Sequence, residues 1–556
     1  MRASALLGLF LFVFMGWSMI RVSAPTYDEP VHLASGYAAL RNGVRLLNYR
    51  DHPPLAEMWA ALPLLVLRPA TMFQHPAWLQ GMPYTYSDLF LYKNRVDPER
   101  MLDTARLWSL ISWGALLAGA VCAWAYSLAG LPAAGAGALL LGLCPPLFTN
   151  AALVTTDTGS AVFFFLTFFL LRGSGRRSRA RWLAAGAAMG AAMACKFNMF
   201  ILPFFVAAML LAEWNLGRRQ GARFPTAGLA WAGLACGLVL AAAYRIYNVP
   251  LYWEGLSATL ARLGQGRASF LFGAHPSDGR LLYFPAALLL KTPLPLLLTA
   301  GLGVWAWAKN RAALASDRER FLAGIWLTVP PAVYFLLACF SRTQIGYRHI
   351  LPVYPFLVVA GAAGAAWLLE RRSGQVAAAL LAAWLGVSLG RCHPHYLAYF
   401  NEAGGGPDQG YRWLVDSNLD WGQGLKPLAQ ELRALGDPPV ILCYFGVADP
   451  SYYGIKYLPV GFVDNVDRRE GVVAPGPDDR VLFAVSATNL QTTYFADHSL
   501  FDWLKARRPL SRPGRSIFLY DLSSDPEGIQ RLAGLVEAAG YKDVALKLRQ
   551  RHVKTA

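Results

Sequence analysis

Residues 3–20 read ASALLGLFLFVFMGWSMI, and residues 27–32, shortly after, read YDEPVH. The first stretch is uncharged and long enough to cross a bilayer as a helix, so the carboxylates of Asp28 and Glu29 fall at a membrane surface. A second polar group, Arg50-Asp51-His52-Pro53-Pro54, follows about twenty residues later. Ionisable groups at the mouth of a membrane segment point to chemistry, and Asp28 is the candidate base.

The rest of the chain supports the membrane setting. Of 556 residues 55% are hydrophobic and 15% charged, where a soluble domain carries about a quarter charged residues. The net charge of +17 lies in loops between apolar runs, which argues against nucleic acid as a partner. Val22-Ser23-Ala24 resembles a signal-peptide cleavage site. The apolar run before it is long for a signal peptide, and cleavage would leave the acidic pair on a free amino terminus, so a retained anchor is expected.

Apolar runs predict roughly eleven spans, with cores at 3–20, 105–127, 131–149, 158–172, 182–196, 198–216, 225–246, 283–307, 321–340, 349–369 and 375–391. Four basic loops fall on one side in this count: Arg172, Arg176, Arg177, Arg179 and Arg181; Arg218, Arg219 and Arg223; Lys309, Arg311, Arg318 and Arg320; Arg371 and Arg372. Positive residues mark the cytoplasmic side, so the loop 21–103 and everything after Arg391 lie outside. In a bacterium that makes the chain a multi-pass inner-membrane protein with its carboxylates on the periplasmic face.

The expected fold class is therefore mainly α and polytopic, with a transmembrane domain over 1–391 and an extracytoplasmic α/β domain over 392–556. Within the first outer loop, one short helix is expected from Pro30 to Gly43, and another from Pro54 to about Leu67 with a kink at Pro63. In the outer domain, strands are expected at 440–445, 481–485 and 516–520, and helices at 424–435, 499–507 and 526–538. Five cysteines sit in apolar runs as packing residues; Cys392 and Cys443 are the two that could pair in an oxidising compartment.

Asp28 and His32 are four apart, hence neighbours on a helix starting near Pro30. A helix cap would need one acidic oxygen there, which leaves the second carboxylate, Glu29, and His52 without a purpose. Asp157, in Thr155-Thr156-Asp157-Thr158, is either a cap or a second carboxylate orienting a substrate hydroxyl. Lys196 and Arg342 read as cations snorkelling to the headgroups. Lys291 differs, because its apolar segment is broken by Pro285, Pro293 and Pro295 as if it lined a cavity, and Arg348 and His349 stand at the outer end of a late span. Cations on late helices facing carboxylates on an early loop would suit a base and a departing phosphate.

Asp28, Glu29, His32 and His52 could ligate a metal, but their spacing matches no closed site and none is expected. Asp416-Ser417-Asn418-Leu419-Asp420 opens like a calcium loop and then has Trp421 where glycine is required, which rejects that reading. Trp413, Trp421 and the pair Tyr452-Tyr453 read as core or interface aromatics.

These residues together resemble the lipid-carrier-dependent glycosyltransferases of the GT-C type, related to protein O-mannosyltransferases and to the transferase that adds aminoarabinose to lipid A. The resemblance is carried by Tyr27-Asp28-Glu29, by His52-Pro53-Pro54-Leu55, by Thr156-Asp157 and by Gly346-Tyr347-Arg348-His349-Ile350-Leu351-Pro352. The run from Tyr399-Phe400-Asn401-Glu402 to Asp416-Ser417-Asn418-Leu419-Asp420-Trp421-Gly422-Gln423 also looks like one in bacterial members. It covers about residues 20–425.

The resemblance implies inverting transfer of one sugar from a polyprenyl-phosphate donor to a lipid, glycan or protein hydroxyl, without a metal or other cofactor. In that family the first-loop aspartate, here Asp28, is the base; by position in this sequence, Glu29 and Asp157 are the further catalytic candidates, His32, His52, Lys291, Tyr347, Arg348 and His349 are the candidates for substrate contacts, and Lys291 and Arg348 are placed on the phosphate. Two other readings compete. A transporter or lipid-sugar flippase would place its charges near the bilayer midplane on broken helices. An inactive scaffold would use the outer domain to bind a partner or glycan.

Overall fold

The computed structural model describes residues 1–43, 45–173, 177–217, 223–309, 318–461, 472–477 and 479–551. Arg176, Arg218, Arg219 and Arg311, used above for orientation, lie outside the described residues.

The chain is mainly helical, and all the expected span cores fall on helical segments. Among the described residues, seven helices are long and apolar enough to cross a membrane, and an eighth crossing is formed if Tyr283–Lys291 and Leu294–Lys309 count as one span bent by 108°. That bend is where Thr292-Pro293 interrupts the run, since proline cannot supply the helical N–H. The helix Pro98–Gly142 carries two expected spans and breaks at Ala129 and Gly130, where Gly130 adopts φ 68°. At the end rich in arginine, Arg181 and Arg177 donate to the carbonyls of Leu170 and Leu171, which the helix Thr156–Leu171 leaves unpaired at its end.

The first outer loop folds as its turn residues require. Its first helix spans Glu29–Asn42 and stops at Gly43 in the left-handed conformation. Leu55–Ala61 and Leu64–Leu67 follow, divided at Pro63 as expected. Gly36 lets these segments meet, because a Cβ there would come within 2.1 Å of the Glu57 carbonyl oxygen.

The carboxy-terminal region holds one sheet: β1 (Val440–Cys443), β2 (Tyr457–Pro459), β3 (Leu482–Ser486) and β4 (Ile517–Asp521). Its order is β2-β1-β3-β4, with β1 parallel to both neighbours and β4 antiparallel to β3. β1, β3 and β4 were legible as fully apolar runs buried on both faces. β2 has three residues, the last a proline, and was missed, as was the terminal helix Lys542–Gln550. The expected helix 499–507 shrinks to Asp502–Lys505.

Cys392 and Cys443 are both buried and are not joined in a disulfide, so the pairing considered from sequence is not made. Cys392 points its Sγ at the carbonyl of His395, 3.2 Å away. The apolar core runs continuously from the membrane helices into the β-sheet, and Ala24, just after the first span, packs with Leu425, Leu428 and Leu442.

Candidate active site

The carboxylates of the early loop and the cations of the late helices meet in one place. Arg348 Nη1 donates to Asp28 Oδ2 at 2.8 Å and lies 3.6 Å from Asp157 Oδ2. The ammonium of Lys196 donates to the other oxygen of Asp157. The result is an alternating chain, Asp28–Arg348–Asp157–Lys196, largely withdrawn from water. Asp28 is 25% exposed, Lys196 14% and Asp157 only 2%, so Asp28 is the most open member of the chain.

Asp28 occupies the capping position of the helix Glu29–Asn42, yet its side chain makes no capping hydrogen bond. Among the described residues no donor engages its Oδ1. Burial opposes its ionisation, but the Arg348 guanidinium, aided by His32, outweighs that and holds the carboxyl below its ordinary value.

Glu29 differs from the sequence expectation. Its two oxygens take Arg106 Nε at 2.8 Å and Nη2 at 2.5 Å, the Thr26 amide and hydroxyl at 2.8 and 2.9 Å, and the Val154 amide at 2.9 Å. The carboxylate is fully buried and has no oxygen left for a substrate. Arg106 also donates to the carbonyls of Ser23 and Ala24. Glu29 is thus a knot tying the first span, the first outer helix and the turn before Asp157.

The two histidines lie behind Asp28. His32 Nδ1 is 2.9 Å from Glu57 Oε1, which also accepts from Asn48 at 2.7 Å. Burial disfavours charge on His32, but the Glu57 hydrogen bond and carboxylate overcome it and raise the imidazole above its ordinary range. The His52 ring lies edge-on to His32, centroids 4.8 Å apart, and its Nδ1 is 3.3 Å from Thr156 Oγ1. Burial, then the nearby His32 and Lys196 charges, push His52 well below its ordinary value, so it is neutral.

Lys291 is not in this group. Its ammonium donates to the carbonyls of Leu397 and Asn418 and sits 4.3 Å above the Phe400 ring and 5.2 Å above that of Tyr347. It is 1% exposed and ties the end of the helix Tyr283–Lys291 to the segments at Leu397 and Asn418. Tyr347 is likewise internal: its hydroxyl lies 3.0 Å from both Thr149 Oγ1 and Asn150 Nδ2. His349 lines the cavity, with Nε2 buried and, among the described residues, without a hydrogen-bond partner.

A cavity of about 520 Å³ opens in front of Asp28, a size suited to a small polar ligand. Asp28, His52, Lys196, Arg348 and His349 form one side of it, Arg262 comes from the last turn of the helix Val249–Gln265 and Arg267 from the loop after it, and Asp416, Trp421, Phe445 and Tyr494 come from the carboxy-terminal region. The last six, with Lys196, were not singled out for the site. Lys196 had a signal, since it interrupts two apolar runs, but a lone lysine at a helix end reads equally as a snorkelling cation. The others depend on long-range packing with no local pattern.

No known protein-family profile matches the chain, and no curated protein matches it. Among solved structures, it is similar to ArnT from Cupriavidus metallidurans bound to undecaprenyl phosphate, at 15% identity and TM-score 0.44 over 92% of this chain and 97% of that one. It is also similar to the Archaeoglobus fulgidus oligosaccharyltransferase in its apo form, at 12% identity and TM-score 0.45 over 66% of this chain and 50% of that one.

Proposed function

We propose that the chain is a membrane glycosyltransferase of the GT-C type, moving one sugar from a polyprenyl-phosphate carrier to a lipid, glycan or protein hydroxyl with inversion. The observation that carries this is the Asp28–Arg348 pair at the cavity edge: an ionised carboxylate with one oxygen unengaged, next to a guanidinium. Asp28 takes the proton of the acceptor hydroxyl as that oxygen attacks the anomeric carbon. The bond from that carbon to the carrier phosphate breaks, and its electron pair leaves on the phosphate oxygen. Arg348 and Lys196, both lining the cavity, stabilise the charge that develops there. This scheme draws its positive charge from side chains and uses no metal or other cofactor.

In this reading the cavity opens on the outer face of a bacterial inner membrane, which the charge bias of the loops supports. A transporter or flippase reading is disfavoured because the charges cluster at the ends of spans, between two outer segments. The test is transfer by purified protein in lipid nanodiscs given a radiolabelled polyprenyl-phosphate sugar and a lipid or glycan acceptor, wild type against Asp28→Asn. Label appearing on the acceptor with wild type alone supports the reading. Equal transfer by both removes the base assignment, and carrier movement between leaflets without transfer favours a flippase.

A further inference from the structure

The segment 416–423 touches both halves of the Asp28–Arg348 pair, and one of its residues does so by itself. The carbonyl of Trp421 accepts from the amide of Tyr27, the residue before Asp28, at 2.9 Å, and the carbonyl of Gln423 accepts from Ala24 at 3.0 Å. The indole face of Trp421 lies 4.1 Å from the guanidinium carbon of Arg348. Trp421 is 2% exposed, and among the described residues Arg348 Nε is buried without a hydrogen-bond partner, so the ring is what covers that side of the cation.

The same segment fixes the turn before Arg348. Ser417 Oγ donates to the Ile345 carbonyl at 2.6 Å, and Asn418 Oδ1 accepts from the Tyr347 amide at 2.9 Å. Gly346 makes this approach possible, since a Cβ there would come within 2.0 Å of Ser417 Oγ. Behind the segment stands the carboxy-terminal domain: the Thr488 amide donates to Asp420 Oδ2 at 2.9 Å, and the Tyr494 hydroxyl donates to Asp416. Asp416 holds a left-handed φ of 56°, a conformation that a non-glycine residue keeps only where its surroundings impose it. A second tie reaches Tyr27 through its ring, which stacks on Phe445 with centroids 5.6 Å apart, and Phe445 stacks on Tyr494 at the same distance.

We infer that Trp421 is a positioning residue through which the carboxy-terminal domain sets the Asp28–Arg348 pair, so that this domain is part of the catalytic site. The inference rests on the glycosyltransferase reading for its catalytic consequence, but the positioning itself is measurable without turnover. Two side chains 320 positions apart in sequence must hold a distance of 2.8 Å, and Trp421 contacts the backbone beside one and the charge of the other.

The experiment uses full-length protein in nanodiscs with Trp421→Leu, Trp421→Phe and Phe445→Leu, each alone and combined with Asp28→Asn. Thermal melting at pH 7 reads the coupling. Asp28→Asn shifts the melting temperature in the wild-type background by an amount that should fall by at least roughly half with Trp421→Leu, less with Phe445→Leu, and hardly at all with Trp421→Phe. Independently, kcat should drop roughly ten- to a hundredfold in Trp421→Leu with KM nearly constant, and Trp421→Phe should recover most of it. Additive melting shifts in both leucine backgrounds would overturn the proposal, as would an unchanged kcat in Trp421→Leu. Should Trp421→Leu fail to fold, Phe445→Leu and Trp421→Phe decide by the same coupling. If Asp28→Asn leaves transfer intact, the function reading fails, while the melting cycle still judges the brace.

Discussion

Arg348 reaches Asp28 at 2.8 Å across 320 positions of sequence, and the same nitrogen lies 3.6 Å from Asp157. One guanidinium thus serves a carboxylate facing the cavity and another withdrawn from it. With Arg348 replaced by Gln, burial is the largest influence left on Asp28 and raises its pKa. The acid limb of the pH profile of kcat/KM should then move to higher pH. In wild type the depressed carboxyl adds stability that is present above its unfolded value, near 3.8, and lost as pH falls through the folded one. That contribution disappears in the variant. An unmoved acid limb would show that Arg348 does not tune the base.

Glu29→Gln should act on stability. It takes from the buried Arg106 its bidentate counter-ion and leaves only Asp103 Oδ1 at 3.3 Å, and breaking a buried pair costs up to about 3–5 kcal/mol. A large fall in melting temperature is expected, and whatever protein remains folded should keep a pH profile like that of wild type. A variant that melts like wild type but does not turn over would instead return Glu29 to the chemistry.

The His32–Glu57 pair makes stability depend on pH in the opposite sense to Asp28. Because the folded pKa of His32 is raised, its stabilising contribution is fully present below about 6.5, the unfolded value, and is lost as pH rises through the folded one. The gap in melting temperature between wild type and His32→Gln should therefore narrow as pH climbs above 6.5. A gap that widens over that range would contradict the pairing.

Lys291→Met tests the residue that the sequence placed on the phosphate. Its loss leaves the carbonyls of Leu397 and Asn418 unpaired in the interior, which costs about 1–3 kcal/mol for a buried group. Stability should fall and the donor KM should stay within roughly twofold of wild type. A donor KM raised tenfold with unchanged stability would put Lys291 on the substrate.

Much of the fold was legible because bilayer length and proline punctuation leave strong local marks: the cores of the spans, the stop at Gly43 and the break at Pro63 all follow from them. Asp28 and Arg348 were legible as charges stranded at span ends. Lys196, the fourth charge in the row, was not. The prolines around Lys291 set it apart from Lys196, but they mark the broken helix whose end Lys291 ties down, and no local pattern shows that Lys196 is the lysine that pairs with Asp157. Glu29 was read as half of an acidic pair because the sequence shows adjacency, whereas successive side chains at a helix start diverge and only one of them faces the cavity. Trp421 was read as a packing aromatic, and its two contacts with the site exist only once residues 24–28, 345–348 and 416–423 are brought together.

The most direct measurement is sugar transfer by Asp28→Asn in purified, folded protein supplied with a polyprenyl-phosphate sugar and an acceptor. Asn keeps the shape and removes the base, so the rate should fall by about 10²- to 10⁴-fold while the melting curve stays cooperative. Undiminished transfer by the folded variant would contradict the account.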